Sequence, residues 1–419
     1  MAASGIVIVL LALLGAPLFA LIAGGALMGY MRSDINLTAV AIEIFGIAEM
    51  PILLAIPLFT FAGYILSESK APDRLVRVTN ALMGWLPGGL AIVAIVACSL
   101  FTAFTGASGV TIIALGALLY PALEQSGYSP KFNLGLLTAG GSLGLLFAPS
   151  LPLILYGVVA EESIDELFIA GILPGVLMMA IMAAYCLWVN RDNRQPISDF
   201  SAREVFAALR EAVWEIPLPI IVLGGIYGGY LAVSEAAAVT ALYVLIVEVL
   251  IKREIKFTEL PRIARESMVL VGGILLILGA SLASTNYMID AEVPQQLIGL
   301  VSSLVSDRTS FLFLLFLFLL VLGAILDIFS ALVLVVPLIL PVAAQFGVDP
   351  IHLGIVFLAT MQLGYLTPPV GLNLFIASYR FDQSIVRVYL ATLPFLLMLM
   401  AAVLVITFWP DLSLMLLAD

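Results

Sequence analysis

Long apolar runs, separated by short polar connections, fill most of this 419-residue chain. Because a helix needs about 20 apolar residues to cross a bilayer, runs of this length predict transmembrane helices. Such runs lie at about 5–30, 40–66, 133–159, 167–190, 215–233, 236–251, 267–288 and 386–409. The pattern therefore predicts an all-α polytopic membrane protein.

Some apolar regions are too long for one crossing or contain helix-breaking residues. These regions are 88–124, 133–159, 295–346 and 351–379. The first is interrupted at Thr105–Gly109 and the third around Asp327–Ser330. The second is broken at Ala148–Pro152, and the fourth at Gly371, just after two prolines. Since backbone freed by such breaks cannot face lipid, each half is predicted to be a re-entrant hairpin followed by an unwound transmembrane helix.

A long stretch of the chain occurs twice, 220 residues apart and without a gap. The matched pairs are Pro121/Pro341, Gln125/Gln345, Gly127/Gly347, Pro130/Pro350, Ala139/Ala359, Gly144/Gly364 and Pro149/Pro369. They are mainly Pro and Gly, the residues that end helices and permit unusual backbone. Two copies of a broken hydrophobic segment at corresponding places indicate a secondary transporter whose binding site lies at the breaks.

Positive charge in the connections predicts which of them face the cytoplasm. Lys and Arg concentrate in 70–77, 191–210 and 252–265, whereas 232–234 has no positive charge and 161–166 is acidic. Counting crossings from these connections, the first hairpin opens to the cytoplasm and the second to the outside. The two halves are therefore predicted to form an inverted repeat, although the side of the N-terminus stays open.

The breaks and connections divide the chain into five parts. They are 1–82 (N-terminal scaffold helices), 83–190 (first transport repeat), 191–290 (central scaffold), 291–380 (second transport repeat) and 381–419 (C-terminal helix). Each transport repeat contains one hairpin and one broken helix. In the central scaffold, 191–214 and 252–266 alternate apolar and charged residues and are predicted to be amphipathic helices in the membrane interface.

Composition narrows the possible functions. Hydrophobic residues make up 63% of the chain and charged residues 11%, and no polar stretch is long enough to form a soluble domain. The net charge of −11 and the absence of a basic stripe argue against nucleic-acid binding. With two cysteines in apolar runs and one histidine, we expect no transition metal, no haem and no organic cofactor.

Several motifs match a known family. They are Ala55–Phe59 (AIPLF), Leu86–Ala91 (LPGGLA), Phe101–Ser108 (FTAFTGAS), Gly127–Tyr128, Ala148–Ser150 (APS), Leu167–Gly175 (LFIAGILPG), Leu322–Asp327 (LGAILD) and Gly364–Phe375 (GYLTPPVGLNLF). In this order and on the repeat frame, the chain resembles the large membrane subunit of tripartite ATP-independent periplasmic (TRAP) transporters, within the ion-transporter superfamily. The resemblance covers nearly the whole chain.

The resemblance implies an elevator-type importer in the bacterial inner membrane, driven by a sodium gradient. Its partners would be a small four-helix membrane subunit and a periplasmic substrate-binding protein, and its substrates organic-acid anions such as dicarboxylates or sialic acid. The chain departs from the family pattern at Tyr64, at Thr105 and Ala107, and at Ala148–Ser150, which replaces Pro-Pro-Ser. The substrate, the sodium stoichiometry and the oligomeric state stay open.

Sodium takes oxygen ligands, which unwound helices offer as carbonyls at half-helix C-terminal ends. We expect one oxygen cage at the first hairpin tip with the first unwound helix, and a second in the other half by repeat symmetry. The candidates for the first cage are Thr105, Gly106, Ser108, Ser142, Gly144 and Pro149. The candidates for the second are Gly323, Asp327, Gly364, Thr367 and Gly371.

An anionic substrate requires free backbone N–H groups at helix N-termini and hydroxyl or amide donors. The candidates are Ser108, Thr111, Ser150 and Asn373. No Arg or Lys lies near the breaks, so helix termini and sodium ions would neutralise the substrate's charge.

Some of these residues have a second interpretation. Asn373 and Asp327 are also placed to cap helices, and the Ser108 and Thr105 hydroxyls to bond i−4 carbonyls. The lone histidine, His352, follows a turn and is expected at the membrane interface.

Two other functions remain as alternatives. One is a stand-alone sodium- or proton-coupled carboxylate transporter of the same superfamily, which would need no binding protein. The other is a membrane enzyme, since Gly140–Gly144 matches the Gly-x-Ser-x-Gly pattern. That pattern lies inside an apolar helical segment and lacks His and acid partners, so we expect no enzyme.

Overall fold

The computed structural model describes residues 8, 10, 11, 14–86, 88–191 and 200–417. Its first helices are α1 (Leu18–Arg32), α2 (Thr38–Gly46), α3 (Ala55–Glu68), α4 (Ala71–Met83), α5 (Gly89–Thr105), α6 (Ser108–Gln125), α7 (Pro130–Gly140), α8 (Leu151–Ala160), α9 (Ile164–Ala170) and α10 (Ile172–Val189). The others are α11 (Ala202–Glu211), α12 (Pro217–Tyr227), α13 (Val233–Leu245), α14 (Leu260–Asp290), α15 (Val293–Leu304), α16 (Arg308–Gly323), α17 (Ile328–Gln345), α18 (Pro350–Gly364), α19 (Leu372–Arg380), α20 (Ile385–Phe408) and α21 (Asp411–Leu414). This described part of the chain contains no β-strand, which confirms the all-α prediction.

The helices have the length and composition of membrane spans. Within the described ranges, seven helical segments are long and apolar enough to cross a membrane, and up to nine if each bent helix pair is one span. The chain is therefore a multi-pass membrane protein. The predicted first run, 5–30, falls partly on residues outside the described ranges, as do Pro87 and the connecting residues 192–199 with Arg194.

The helix bounds repeat at the offset found in the sequence. Helices α6 and α17 have the same length and lie 220 residues apart, and α7 and α18 begin at Pro130 and Pro350. Each broken helix contains a cis X-Pro bond, at Ala148–Pro149 in the first and Pro368–Pro369 in the second. The sequence repeat therefore corresponds to a repeat of secondary structure.

Each predicted interruption is a helix break in the structure. Gly106 separates α5 from α6 with φ of 65°, and Gly371 precedes α19 with φ of 58°, both in the left-handed region that favours glycine. Between α7 and α8 lies a 3-10 turn, Leu143–Leu146, and the two arms are bent by 43°. Helices α16 and α17 are separated by residues 324–327.

Two predicted apolar segments are wrong in extent. The run 40–66 is not one helix, because α2 ends at Gly46 and two 3-10 turns around Pro51 precede α3. Proline has no N–H to continue the helical hydrogen bonds, so the helix restarts there. The run 215–233 holds only the short helix α12, which ends at Gly228–Gly229.

The predicted hairpin region 295–346 is also wrong in extent. Helices α15 and α16 meet at 112°, so α15 is a separate helix. Asp307 accepts a hydrogen bond from Ser310 N (3.0 Å) and caps the start of α16. The second helix–turn–helix therefore begins at Arg308.

The helices form an inner and an outer group. In the inner group, every residue of α18 from Ile351 to Gly364 is buried, and α16, α17, α8 and the Leu143–Leu146 turn pack around it. Helix α5 packs on α6, α7, α10 and the same turn, and α19 packs on α6. In the outer group, the long helix α14 packs on α1, α2 and α3, and α3 packs on α13.

The two groups meet at close contacts. A Cβ placed on Gly63 of α3 would lie 2.8 Å from Thr105 Cα, at the turn between α5 and α6. On the other side, Ser281 Oγ of α14 donates to Val333 O of α17 (2.7 Å), and both residues are buried. Pro337 lacks the N–H that would normally bond the Val333 carbonyl, so the serine satisfies a backbone acceptor that the proline leaves free.

Helix α11 covers residues 202–211 of the first predicted amphipathic stretch, 191–214. Ala208 is buried, Phe206 is 70% exposed, and Arg77 of α4 pairs with Glu204 and Glu211. The second predicted helix, 252–266, is wrong, because its C-terminal part is the first turn of α14 and the residues before it form turns.

A buried cluster of charged side chains links α4 to Glu215 and to the segment 248–254. The Arg74 side chain is 5% exposed and bonds Glu215 and Glu254 (2.6 Å each) and Glu248 (3.3 Å). Lys252 adds a second cation at 3.0 Å from Glu215. Glu248 reaches the cluster from a π-helical turn, Ile246–Ile251, that extends α13.

Candidate functional site

Two predicted substrate residues, Ser108 and Asn373, are buried and in direct contact. Ser108 Oγ donates to Asn373 Oδ1 (2.8 Å), and Asn373 Nδ2 donates to Thr138 O (3.3 Å). Gly371 is the N-cap of α19, and no side chain caps that helix. The Asn373 amide therefore links the turn between α5 and α6 to the broken helices of both repeats. It does not cap its own helix.

The same contact brings two helix N-termini together. Ser108 is the first residue of α6 and Asn373 the second of α19, and the two helices pack against each other. Each N-terminus carries partial positive charge and N–H groups without helical partners. No Lys or Arg occurs in 101–112 or 363–375. These two N-terminal segments supply positive potential through their backbone dipoles, and Arg380, at the C-terminal end of α19, donates a hydrogen bond to Ile113 O of α6 (2.9 Å).

The third predicted substrate residue, Thr111, is connected to the first break through one intervening side chain, Thr102. Its Oγ1 is 2.7 Å from Thr102 Oγ1, which is 2.9 Å from Gly141 O. Close packing holds this region, because a Cβ on Gly144 would lie 2.1 Å from Ser99 O. Helices α5 and α6 therefore pack directly on the unwound stretch of their own repeat.

The other predicted hydroxyls bond carbonyls of their own segments. The bonds run from Thr105 Oγ1 to Phe101 O (3.0 Å), Ser142 Oγ to Ala139 O (3.4 Å), Ser150 Oγ to Leu145 O (2.5 Å) and Thr367 Oγ1 to Leu363 O (2.8 Å). Thr105 thus has its i−4 bond, as its second interpretation predicted, whereas Ser108 does not. The Ser150 bond stays within the first break and does not reach Ser108 or Asn373.

The turn between α16 and α17 (residues 324–327) contacts the second break through backbone atoms. A Cβ on Gly364 would lie 2.4 Å from Gly323 Cα, so only glycine permits this approach. Val370 N and Gly371 N both donate to Ala324 O, at 3.2 and 3.1 Å. The structure therefore brings together the predicted residues Gly323, Gly364 and Gly371.

Asp327 caps α17. Its Oδ1 accepts from Phe329 N and Ser330 N, both at 3.0 Å, and its Oδ2 accepts from Ser330 Oγ (2.5 Å). Nearby, the buried Tyr365 Oη accepts from Ile328 N (2.8 Å). These bonds support the capping interpretation of Asp327, whose side chain is exposed.

Gly106 and Pro149 lie at a contact between the first turn and the second half of the first broken helix. A Cβ on Gly106 would lie 2.5 Å from Leu151 Cγ, at the start of α8. Leu151 follows Pro149 by two residues. The turn between α5 and α6 therefore packs beside the Ala148–Ser150 break.

His352, which was expected at the membrane interface, is fully buried within the protein. Its Nδ1 lies 3.2 Å from Ser413 Oγ and its Nε2 3.3 Å from Thr407 O. Asp349 Oδ1 accepts from His352 N (3.1 Å), so the residue belongs to the first turn of α18. Because α18 is buried on all sides, a position next to a turn does not make it accessible.

Sequence reasoning missed several groups at the site. Thr102 and Tyr365 stand inside motifs quoted above, and their hydroxyls were the available signal. Thr138 and Ala324 act through backbone carbonyls, for which no side-chain signal exists. Gln362, buried beside the second break, is an amide in an apolar helix and was detectable as such.

Fold and site together define a class of protein. A multi-pass helical chain with two repeated broken helices, whose interruptions meet at a buried polar site, is a membrane transport protein rather than an enzyme. Residues 5–412 match the family model described as "Tripartite ATP-independent periplasmic transporter, DctM component". The chain belongs to this family, the large permease subunits of TRAP transporters.

Individual relatives agree with this assignment. The chain is 34% identical over 391 residues to the C4-dicarboxylate TRAP transporter large permease protein DctM of Pseudomonas aeruginosa, covering 93% of this chain and 92% of that one. It is 32% identical to the ectoine/5-hydroxyectoine permease UehC of Ruegeria pomeroyi, covering 97% and 96%. It is also 32% identical to the isethionate permease DctMQ of Oleidesulfovibrio alaskensis, covering 85% of this chain and 57% of that protein.

The fold is similar to that of a solved transporter structure. The YdaH transporter of Alcanivorax borkumensis superimposes with a TM-score of 0.59 at 13% identity, covering 90% of this chain and 89% of that one. At this identity the similarity concerns the fold alone.

Proposed function

We propose that this chain is the transport subunit of a sodium-coupled secondary importer of small organic anions in the bacterial inner membrane. One observation carries the proposal: Ser108 and Asn373 are buried and join the N-termini of α6 and α19, two segments that contain no Lys or Arg. Backbone N–H groups with hydroxyl and amide donors suit a carboxylate or similar anion. The names of two relatives refer to anionic substrates, C4-dicarboxylate and isethionate.

Anion binding requires a local rearrangement of this contact. The Ser108 hydroxyl donates to Asn373 Oδ1, and the Asn373 Nδ2 donates to Thr138 O. Each donor turns to the ligand when its present bond opens, so the ligand exchanges one set of hydrogen bonds for another. This exchange selects ligands whose acceptors match both donors.

Sodium ions would be coordinated by oxygen atoms at the two breaks. The Thr105, Ser142 and Thr367 hydroxyls donate their protons to carbonyls, so their oxygens keep lone pairs for a hard cation. The breaks also release carbonyls at the C-terminal ends of α5, α7, α16 and α18, where the helix dipole is negative. These residues fit a sodium ion better than a transition metal, which prefers nitrogen or sulfur ligands.

The movement we propose is that of an elevator with two re-entrant hairpins. The hydrogen bond between Ser108 and Asn373 and the backbone bonds to Ala324 O link both helix turns to the second break. The inner group therefore has the connections needed to move as one unit. Helices α1, α3, α13 and α14 would form the fixed scaffold, in contact with a small four-helix subunit, and a periplasmic binding protein would deliver the substrate.

Uptake by proteoliposomes tests the proposal. The chain is reconstituted with the small subunit of its system, and the binding protein is added outside with radiolabelled C4-dicarboxylates, isethionate or ectoine under a sodium or potassium gradient. We expect uptake only with sodium and the binding protein. Asn373→Ala removes buried hydrogen bonds worth about 1–3 kcal/mol and should slow uptake by about tenfold to a hundredfold.

The matched control is Asn190→Ala, because within the described ranges the Asn190 amide bonds only Cys186 O of its own helix end (2.9 Å). It should leave uptake unchanged. Normal uptake by the Asn373→Ala variant would reject the site. Uptake without the binding protein would instead identify a stand-alone transporter, and uptake driven by a proton gradient alone would reject sodium coupling.

A further inference from the structure

Gln362 carries a buried amide whose polar atoms are both unsatisfied. The residue is 1% exposed, and neither Oε1 nor Nε2 has a hydrogen-bond partner in the described part of the chain. There, Gln362 is the one residue for which both side-chain polar atoms are buried without partners. Burying an amide in this way is unfavourable, so such a group in a native protein calls for a water molecule or an ion that completes it.

The other polar side chains around Gln362 are satisfied locally. Thr360 Oγ1 donates to Val356 O (2.7 Å) and Thr367 Oγ1 to Leu363 O (2.8 Å), both i−4 carbonyls. The helix thus provides acceptors for the short hydroxyl side chains but not for the longer amide. The unsatisfied state of Gln362 is therefore specific to this residue.

Helix geometry shows which way the amide faces. Gly364 faces Gly323 of the second helix turn, and Gln362, two residues earlier, lies about 200° around α18. Gln362 is therefore on the side turned away from the second hairpin. Helix α18 also packs against the Leu143–Leu146 turn of the first break. The residue equivalent to Gln362 in the repeat, Ser142, directly precedes that turn.

We propose that Gln362 Oε1 is a ligand of a bound sodium ion at the side of α18 opposite the second hairpin. The inference rests on the sodium coupling proposed above and adds a ligand that the repeat argument did not contain. An amide oxygen is a hard donor of the kind sodium prefers, and a water retained by the ion would accept from Nε2. One hydrated ion thus satisfies both orphaned atoms.

The test is a sodium titration of thermal unfolding, made on the purified full chain with its small subunit. Sodium chloride replaces choline chloride at constant ionic strength, with potassium as the second control. A ligand that binds only the folded state raises the unfolding midpoint once its concentration exceeds its dissociation constant. The variants are Gln362→Met, which keeps the size and removes the polar atoms, and Gln345→Met, the same change at an exposed position.

We expect Gln362→Met to unfold without sodium at or above the wild-type temperature, because the orphaned amide is gone. Its half-maximal sodium concentration should rise at least tenfold, whereas Gln345→Met should match the wild type. A lower unfolding temperature without sodium would show that the amide has structural partners and would overturn the inference. An unchanged sodium midpoint would overturn it equally.

A second variant keeps the inference testable if Gln362→Met does not fold. Gln362→Glu retains the oxygen and adds charge, so its half-maximal sodium concentration should fall about tenfold, and an unchanged or higher value would refute the ligand. The wild type separates this inference from the proposed function. A sodium response that persists in the Gln362 variants rejects only the ligand, whereas no response in the wild type rejects the sodium coupling itself.

Discussion

The contact between Gly364 and Gly323 offers a sharp test of how the second hairpin is held. In Gly364→Ala, the new Cβ would lie 2.4 Å from both Cα and C of Gly323. Carbon atoms without a bond between them pack at about 3.5–4.0 Å, so the two backbones must separate by about 1 Å or more. Neither atom belongs to a side chain that can rotate away.

The consequence can be estimated from the neighbouring bonds. Val370 N and Gly371 N lie 3.2 and 3.1 Å from Ala324 O, next to the contact. A displacement of about 1 Å takes both beyond hydrogen-bonding distance. Overpacking of this kind costs about 1–3 kcal/mol, and the loss of two buried bonds places Gly364→Ala at the upper end of that range.

The control is a glycine in an open position. A Cβ on Gly273 of α14 would meet no atom within 4 Å. Because alanine is a better helix former than glycine, Gly273→Ala should stabilise the protein by about 1 kcal/mol. The same chemical change therefore has opposite signs at the two positions.

Thermal unfolding of the two variants, followed by sodium titration and uptake, provides the measurement. We expect Gly364→Ala to unfold at a lower temperature, to respond less to sodium and to lose uptake, while Gly273→Ala does none of these. If Gly364→Ala is as stable as Gly273→Ala and transports normally, the close backbone approach does not hold the second hairpin, and the reasoning fails.

Three further changes test other contacts. Ser281→Ala leaves a buried carbonyl of α17 unsatisfied and should cost about 1–3 kcal/mol in chemical denaturation, whereas Ser267→Ala removes only a bond to its own helix and should cost less. Arg74→Ala leaves buried carboxylates unpaired and should lower stability by about 3–5 kcal/mol, while Arg77→Ala, in exposed pairs, should change the unfolding temperature little; equal effects would refute the burial argument. Gly63→Ala places a Cβ 2.8 Å from the backbone of the first helix turn, so it should slow uptake more than it lowers the unfolding temperature, as uptake and unfolding assays on one preparation would show.

The contact between Ser108 and Asn373 shows why proximity had to come from the structure. Ser108 and Asn373 were both predicted, but their contact joins residues 265 positions apart. Ser150 was predicted with equal justification, yet its hydroxyl bonds Leu145 O inside its own break. Which hydroxyl bonds across the repeats depends on how α6 and α19 pack, and periodicity carries no information about that packing.

The remaining predictions succeeded where local chemistry decides the structure and failed where tertiary packing decides it. The positions of the breaks followed from the sequence, because Gly and Pro act on the backbone of their own segment wherever that segment lies. The extent of the second hairpin did not, because apolar composition cannot distinguish a continued helix from the 112° bend before Arg308.

The sequence alone determined the all-helical membrane architecture, the repeat at 220 residues and the positions of the helix breaks. These properties depend on hydrophobicity and backbone restrictions, which each residue carries with it. Only the tertiary structure decided that His352 is buried, that Ser108 bonds Asn373 and that Gln362 has no partner within the described ranges. The reason is that burial and hydrogen bonding depend on the atoms contributed by distant segments, which no local pattern contains.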